Sequence, residues 1–450
     1  MKIKLTLVIF VLGFCCCQAV QASEKTTGDS NAAPRDWKHP ADWIELSGDF
    51  RFRFLYDNNA KKLDNQAVGH ERIQTRYRIR EQAKFKLTDD LDFNIRIVTE
   101  PRYYTEAHSE HHHWAYNEAL FDLFNLTWRN AFNAPLTVVA GRQEIRLGSN
   151  WLILDGTPLD GGRTAFFDAL RFTYNWADKD TTADFILIDN HADSGKWFEP
   201  FNDKDIDLSE QDEQGAILYL AKKTSKDSGI DLYLIYKHDA HRIIKSSGAD
   251  GEIYTLGARF YGKLNEHWGY NLEFAPQFGR KNLKNFAAFA ANNQLIYNFN
   301  DEKQNKIYIG HEFLSGNKDP DKYFDKAWGR VDSWSVLYQG NIDTIDGKAY
   351  ESSNLHRVYL DWGTKLNEKT EMKAGYAVLF ADKNTNKAGT GGLSKNGKLR
   401  GQLARVIISY KPTNWLEHRV EGEVFAPGDY YNKPKTATAA FFRYSLILTW

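Results

Sequence analysis

Apolar and polar residues alternate along most of this 450-residue chain, in segments of about ten residues separated by turn-forming residues. Residues 72–87, RIQTRYRIREQAKFKL, have Arg or Lys at most even positions and mainly apolar residues at odd ones. Successive side chains of a strand point to opposite faces, so this segment predicts a strand with one cationic and one apolar face. The pattern predicts about eighteen such strands, at residues 46–56, 72–87, 91–100, 119–129, 136–148, 165–176, 182–190, 213–223, 229–238, 252–264, 268–279, 286–299, 305–314, 353–365, 370–381, 400–411, 414–426 and 438–450.

The connections between these segments alternate in length. One set is short, as in TDD at 88–90 and NEH at 265–267. Bacterial outer-membrane barrels have an even number of antiparallel strands with short periplasmic turns and long extracellular loops, whereas a soluble sandwich has no reason to alternate in this way. We therefore predict an all-β fold, a transmembrane antiparallel β-barrel over residues 46–450. The connection at 280–285 is an exception, because it is too short for the end of the barrel on which it lies. The long set comprises residues 57–71, 101–118, 149–164, 191–212, 239–251, 315–352 and 382–399.

The two faces of each predicted strand meet different surroundings. In a barrel of this size one face contacts lipid and the other lines a water-filled lumen. An arginine at the lipid midplane costs about 2–4 kcal/mol, so the cationic faces are predicted to line the lumen. Glu81 lies on the predicted lipid face, and either a bulge or a position near the membrane interface would explain it. The residues predicted to face the lumen include Arg51, Arg53, Arg76, Arg78, Arg80, Arg96, Arg142, Glu144, Arg146 and Arg171.

The N-terminal 22 residues have the pattern of a cleaved secretion signal. Two lysines precede an apolar run from residue 5 to 17, and the small residues Val20 and Ala22 follow. Residues 23–45 are then a periplasmic lead. The three cysteines at 15–17 leave with the signal, so the mature chain has no thiol for disulfides or catalysis. A lipid anchor on Cys15 is the alternative, which the bulky Phe14 before it disfavours.

Composition and motifs narrow the function classes. The net charge is −1, which indicates no nucleic-acid partner. After residue 22 no run reaches the ~18 apolar residues that a membrane helix requires. No G-x-S-x-G motif and no glycine-rich phosphate loop occur, so we predict no enzyme, no cofactor and no energised transport. A barrel hydrolase and a secreted sugar-binding β protein remain as rivals to a passive channel.

Two long connections invite separate hypotheses. The stretch HSEHHHW contains His108, His111, His112 and His113, and imidazoles bind divalent metals. No strand is predicted there to hold these side chains, so we predict no metal site and a solvated loop that contacts lipopolysaccharide or sugar. The connection 315–352 could fold into the barrel and constrict it.

Residues 138–172, VVAGRQEIRLGSNWLILDGTPLDGGRTAFFDALRF, resemble the alginate export family of outer-membrane proteins. The similarity rests on Gly141-Arg142-Gln143-Glu144, on Gly162-Arg163-Thr164 and on Phe167-Asp168-Ala169-Leu170-Arg171, and extends at lower specificity over 46–450. It implies a monomeric eighteen-stranded barrel with a narrow, arginine-rich lumen that passes a polyuronate. The resemblance places Arg142, Glu144, Arg163, Asp168 and Arg171 in a charged network that faces this lumen.

The predicted function is a passive outer-membrane channel for an anionic saccharide, with alginate export as the candidate from resemblance. A porin that takes up oligosaccharides or small organic anions is the alternative. The lumenal arginines have two possible roles. A guanidinium can bind a uronate carboxylate through two hydrogen bonds. Alternatively, these arginines pair with lumenal acids and only keep the pore hydrated. The amphipathic last strand, AAFFRYSLILTW, resembles the signal for the barrel-assembly machinery. The direction of transport, the saccharide and a periplasmic export partner stay open.

Overall fold

A computed structural model describes residues 36–106, 111–116, 119–154, 166–177, 180–193, 195, 199–202, 208–209, 211–240, 250–329, 333–345, 352–386, 389 and 391–450. The predicted signal peptide, Arg163 and His108 lie outside these residues.

Twenty strands are found in the described residues, and all belong to one antiparallel sheet. Helix is confined there to α1 (Val336–Gly340) and three 3₁₀ turns, so no helix in this part of the chain could span a membrane. The strands are β1 (Ile44–Asn58), β2 (Glu71–Lys86), β3 (Leu91–Thr99), β4 (Arg102–Glu106), β5 (His111–Ala115), β6 (Ala119–Trp128), β7 (Leu136–Gln143), β8 (Phe167–Asn175), β9 (Thr181–Asn190), β10 (Glu213–Ser225), β11 (Ser228–Asp239), β12 (Gly251–Lys263), β13 (Trp268–Lys281), β14 (Lys284–Asn298), β15 (Lys306–Leu314), β16 (Leu355–Asn367), β17 (Thr370–Phe380), β18 (Leu399–Thr413), β19 (Leu416–Pro427) and β20 (Ala439–Thr449).

Eighteen of these strands form a closed barrel, which confirms the predicted architecture. The first strand closes it by pairing with the last, from Asp49 opposite Thr449 to Asn58 opposite Ala440. The other two strands, β4 and β5, form a hairpin in which β4 pairs with residues 73–76 of β2, beyond the part of β2 that pairs with β3. The sequence did not predict this hairpin, because its strands are only five residues long and too short to show an alternating pattern.

The two ends of the barrel differ as the connection lengths predicted. Two-residue turns join β10 to β11, β16 to β17 and β18 to β19 at one end, called the short-turn end here. The long connections lie at the other end, called the long-loop end. The one short link there is Asn282-Leu283, whose φ angles of 46° and 65° suit a two-residue hairpin turn. The predicted exception at 280–285 is therefore confirmed.

Burial alternates along the strands with the predicted parity. In β1 the side chains of Arg51 and Arg53 are buried, and the intervening phenylalanines are half-buried on the outside. Large apolar side chains are exposed on the outer face all around the barrel, as expected of a surface that meets lipid. Exposed tryptophans cluster near the short-turn end and form an aromatic girdle there: Trp128, Trp176, Trp268, Trp362 and Trp415.

The position of Glu81 on the outer face has a local explanation. The pairing of β1 with β2 is continuous through Gly48 opposite Glu81, so no bulge turns this carboxyl inward. Its side chain accepts a hydrogen bond from the side chain of Trp450 at the short-turn end. An interfacial position therefore accounts for the break in the pattern.

Candidate functional site

The connection between β15 and β16 crosses the inside of the barrel. Trp328 donates from Nε1 to Glu213 of β10 at 2.9 Å, while the backbone N–H of Val336 donates to Glu423 of β19 at 2.9 Å. These two strands are nine positions apart in a wall of eighteen, so they face each other across the lumen. The hypothesis that residues 315–352 fold inward is confirmed for the described part of that connection.

Buried polar contacts hold this crossing segment to the wall. Asp325 exchanges two backbone–side-chain hydrogen bonds with Gln277 of β13, at 2.8 and 3.0 Å, and its carboxylate accepts from Lys281 at 2.8 Å. On the other side Arg400 of β18 donates to the hydroxyl of Tyr338 at 2.8 Å. Because both ends are anchored by buried groups, the segment is a fixed part of the lumen.

A second connection, between β7 and β8, also enters from the long-loop end. Trp151 is 5% exposed and donates to Glu312 of β15 at 2.9 Å. Its ring stacks on Phe324 of the crossing segment, with centroids 6.3 Å apart. The described parts of the two connections therefore lie together in the half of the lumen nearer the long loops, and the pathway narrows there.

Glu100 is the centre of a buried arginine cluster on the first strands. It directly follows β3 and accepts from Arg51 at 2.7 Å and from Arg76 at 2.5 Å. Arg102 lies 3.5 Å away, and Arg53 is close enough to affect its charge. Glu100 is the last residue of the predicted strand 91–100 and has the parity of Arg96, so the alternating pattern could have identified it as an inward residue.

Asp49 has the same role for the next two arginines of β2. It accepts from Arg78 at 2.6 Å and also from Arg80. Asp49 has the parity of Arg51 and Arg53 on β1, so the alternating pattern could have identified it as an inward residue. The arginines of this cluster are thus neutralised in part by acids on the same strands or next to them.

Arg96 of β3 joins the cluster to the next part of the wall. It forms a two-point ion pair with Asp122 of β6, at 2.8 and 3.1 Å, and binds Glu144 at 2.5 Å. Arg146 lies 3.7 Å from Glu144, and its side chain is 44% exposed. Glu144 therefore belongs to the inward network, as predicted, and Arg146 lies at its exposed edge.

Arg171 of β8 has a separate partner. It donates to Asp184 of β9 at 2.7 Å, and the same carboxylate also accepts from Thr173 at 2.5 Å. These three side chains share the inward parity of their strands. Arg171 is thus placed on the inner wall by the structure, away from the cluster of the first strands.

The inward arginines continue across the closing seam of the barrel. Arg443 of β20 binds Glu421 of β19, and β20 is bonded to β1. Arg405 and Arg419 are half-buried on this inner wall, and neither has an ion-pair partner within 4 Å among the described side chains. We call the following nine inward arginines, which lie on six adjacent strands, the arginine arc: Arg405, Arg419, Arg443, Arg51, Arg53, Arg76, Arg78, Arg80 and Arg96.

The wall opposite the arginine arc carries phenols and carboxylates. Tyr219 and Tyr233 stack in parallel with centroids 5.5 Å apart. Their hydroxyls donate to Asp231 at 2.8 Å and to Glu273 at 3.0 Å. Arg259 binds Asp231 at 2.9 Å. Positive groups are therefore concentrated on one side of the lumen and carboxylates accompany phenols on the other.

Arg142 and Asp168 occupy a position that differs from the predicted one. Arg142 is 1% exposed, binds Asp168 at 2.8 and 2.9 Å, and donates to the backbone carbonyl of Phe121 at 2.9 Å. Arg142 pairs in register with the outward-facing Phe124, and Asp168 pairs in register with Arg142. They therefore lie within the barrel wall, where Arg142 satisfies a backbone acceptor of β6, and not among the lumen-facing charges that the motif implied.

Gly141 explains why the wall departs from simple alternation here. Its φ of 115° is accessible to glycine, and a Cβ at this position would lie 2.4 Å from the carbonyl oxygen of Phe124. The adjacent Gln143 donates to three backbone carbonyls around this irregular stretch, at 3.0–3.2 Å. The Gln143 side chain of the motif thus completes the backbone hydrogen bonding of a distorted strand.

We expect Asp168→Ala to lower the free energy of unfolding by about 3–5 kcal/mol, because it leaves the buried Arg142 guanidinium without its carboxylate. Urea unfolding in lipid vesicles, followed by tryptophan fluorescence, measures the change. Asp189→Ala is the matched control on the next strand, with a carboxylate 53% exposed, and it should change stability by less than about 0.5 kcal/mol. Equal stabilities of the two variants would contradict the role given to this ion pair.

The histidine-rich connection shows no metal arrangement where it is described. His113 stacks on Tyr104 with centroids 4.8 Å apart. Among the residues that the structure describes, no three His, Cys, Asp or Glu side chains are grouped so as to hold a metal ion.

Comparisons with known proteins agree with this architecture. A sequence profile of the alginate export family matches residues 43–444. The fold is similar to that of outer membrane protein OprD from Pseudomonas aeruginosa, with a TM-score of 0.56, 8% identity and coverage of 90% of this chain and 94% of that one. It is also similar to OccK2 (OpdF) of the same organism in complex with glucuronate, with a TM-score of 0.55, 10% identity and coverage of 90% and 96%. No curated protein sequence matches the chain.

Proposed function

The chain belongs to the alginate export family and is a channel in the outer membrane of a Gram-negative bacterium, and on this premise we propose that it passes anionic saccharides by passive diffusion. The family makes alginate, a polyuronate, the first candidate substrate. We further propose that the channel works as a monomer; in support, the first and last strands of the chain pair with each other, so no second chain is required to complete the barrel wall.

The observation that carries this proposal is the arginine arc. Nine inward guanidiniums lie on six adjacent strands, and two of them, Arg405 and Arg419, have no carboxylate within 4 Å in the described part of the chain. A guanidinium offers a planar pair of N–H groups that matches a carboxylate. The guanidiniums of Arg80, Arg405 and Arg419 are partly exposed and can bind a uronate directly, whereas the other six are buried and add positive charge to this wall.

The acids within the arc set the strength of this binding. Asp49, Glu100 and Glu421 already accept from five of the nine guanidiniums. A fully unpaired cluster would bind a polyanion too tightly to release it, whereas conduction requires sites that are occupied and vacated rapidly. The partial neutralisation is thus consistent with transport and not with storage of the substrate.

The crossing segment supports a second candidate function. A lumen narrowed by the β15–β16 connection suits a monomeric uronate as well as an extended chain. OccK2, which shares the fold, has been crystallised with glucuronate. Uptake of small uronates or other organic anions is therefore the alternative to export of a polymer.

Planar-bilayer conductance tests the proposed function directly. The reversal potential in a salt gradient is expected to show anion preference, and oligouronates added to one side should reduce the current. Oligomers and monomeric glucuronate compared at equal uronate concentration separate the polymer from the small-anion candidate. Cation preference together with no block by any uronate would contradict both.

We predict that the triple variant Arg76→Ser, Arg78→Ser, Arg80→Ser lowers the ratio of chloride to potassium permeability about fivefold. The change removes three positive charges and leaves the carboxylates of Asp49 and Glu100 with fewer partners. The reversal potential measures the ratio. Substitution by Ser of three exposed lysines in turns at the short-turn end, Lys226, Lys303 and Lys369, removes the same charge outside the lumen and should leave the ratio unchanged.

A further inference from the structure

Two histidines meet on the outer face of the barrel, on neighbouring strands. His311 of β15 and His356 of β16 stack with ring centroids 5.4 Å apart, and Nε2 of His311 lies 3.1 Å from Nδ1 of His356. The next residues in the chain, Glu312 and Arg357, form an inward ion pair, so both histidines face outward. Val358, which pairs in register with His311, is exposed on the same face.

The histidine pair lies toward the long-loop end of this wall. β16 begins at Leu355, so His356 is its second residue, and the side chain of His356 is 35% exposed. Asp382 follows β17, and its Oδ1 lies 3.8 Å from Nε2 of His356 and 3.0 Å from Nζ of the exposed Lys383. Because an ion pair is costly in hydrocarbon, these charges indicate that the outer face reaches the membrane interface here. An ion in solution therefore has access to His356.

The spacing of the two facing nitrogens suits a metal ion between them. Zinc–nitrogen bonds are about 2.0–2.1 Å long, and a tetrahedral angle then places two ligand nitrogens about 3.3 Å apart. The observed separation of 3.1 Å is close to this value, so the imidazoles of His311 and His356 need little movement to share an ion. Imidazole is also a good ligand for Ni²⁺ and Cu²⁺.

The surroundings favour the protonation that such binding requires. Each ring must carry its proton on the nitrogen that faces away from the other ring. The Asp382 carboxylate near Nε2 of His356 favours this tautomer, as carboxylates commonly do for metal-binding histidines. On the other side of His311, Asn293 of β14 pairs with it in register, and the buried Oδ1 of Asn293 accepts no hydrogen bond from the described residues. This oxygen is an acceptor for a proton on Nδ1 of His311.

We propose that His311 and His356 bind one divalent transition-metal ion of the class of Zn²⁺, Ni²⁺ and Cu²⁺. Two protein ligands hold the ion and water completes its coordination, so the ion exchanges more readily than in a structural site with four protein ligands. Bound metal links β15 to β16 where the connection that crosses the lumen begins and ends. The inference is independent of the proposed substrate of the lumen.

Equilibrium dialysis of the purified, untagged full chain against Zn²⁺, with elemental analysis of the bound metal, tests the proposal. The histidines of the histidine-rich connection are replaced by Asn in every sample to remove their background: His108, His111, His112 and His113. This parent protein should bind one Zn²⁺, and Mg²⁺, which prefers oxygen ligands, should not displace it. His311→Ala should weaken Zn²⁺ binding at least about tenfold.

His418→Ala is the matched control. His418 lies on the outer face of β19, and its Nδ1 contacts the hydroxyl of Tyr444 at 2.8 Å in place of an imidazole, so this variant should bind Zn²⁺ as the parent does. Heat-modifiable gel mobility shows whether each variant is folded. His356→Phe keeps a ring beside Phe313 and should also lose binding if His311→Ala folds poorly. No Zn²⁺ on the parent protein, or equal affinity in the parent and a folded His311 or His356 variant, would overturn the proposal.

Discussion

Deletion of residues 317–352 is expected to raise single-channel conductance about tenfold, because it removes the segment that crosses a lumen otherwise wide enough for an aqueous channel. Leu314 and Leu355 are paired in register, so the remaining residues 315–316 and 353–354 make a four-residue turn between β15 and β16. The barrel itself should persist, since its closure depends on strand pairing and not on this connection. Conductance in planar bilayers measures the effect.

The matched control shortens the β4–β5 hairpin, whose described residues pair with β2 and with each other. Replacement of residues 103–114, most of the β4–β5 hairpin, by Asn-Gly joins Arg102 and Ala115, which are paired in register. Conductance of this variant should stay within a factor of about two of wild type. If the longer deletion also left conductance unchanged, the crossing segment would not limit the pathway.

Glu100→Gln is expected to have two opposite effects. It should lower the free energy of unfolding by about 3–5 kcal/mol, because Arg51 and Arg76 lose a buried carboxylate. It should also strengthen block by oligouronates about tenfold, since a guanidinium freed from its acid can form a charge-assisted hydrogen bond with the substrate. Urea unfolding and concentration-dependent block of the current measure the two effects on the same protein.

Glu368→Gln is the control for this prediction. Glu368 is exposed in the two-residue turn between β16 and β17, so the same chemical change occurs outside the lumen and should alter neither quantity. Weaker block in Glu100→Gln than in wild type would show that the arginine cluster does not contact the substrate. Loss of stability without any change in block would assign Glu100 a structural role alone.

The strands and their faces could be predicted because the relevant pattern is local. A residue of β1 such as Arg51 is directed inward by its position between two phenylalanines, and the high cost of a charge in lipid allows only one register. The alternation of connection lengths indicated the two ends of the barrel for the same reason. Short elements without a full alternating period, such as the β4–β5 hairpin, could not be predicted from this local pattern.

The partners of the charged residues could not be predicted, because they depend on contacts between distant parts of the chain. Arg51 meets Glu100 across 49 residues, Trp328 meets Glu213 across 115, and Trp151 meets Glu312 across 161. Each contact exists only after the barrel has closed and two connections have entered it. No periodicity in the sequence encodes contacts between residues so far apart in the chain.

Arg142 shows the boundary between these two kinds of information. Its parity in the predicted strand placed it in the lumen, but the positive φ of Gly141 and the register with Phe124 place it in the wall. Local alternation thus specified the number of strands, the direction of their faces and the excess of arginine on the early ones. The closed three-dimensional arrangement alone specified which acids neutralise those arginines, where the lumen narrows and which arginines of the wall remain accessible, because these properties arise from long-range packing and electrostatics.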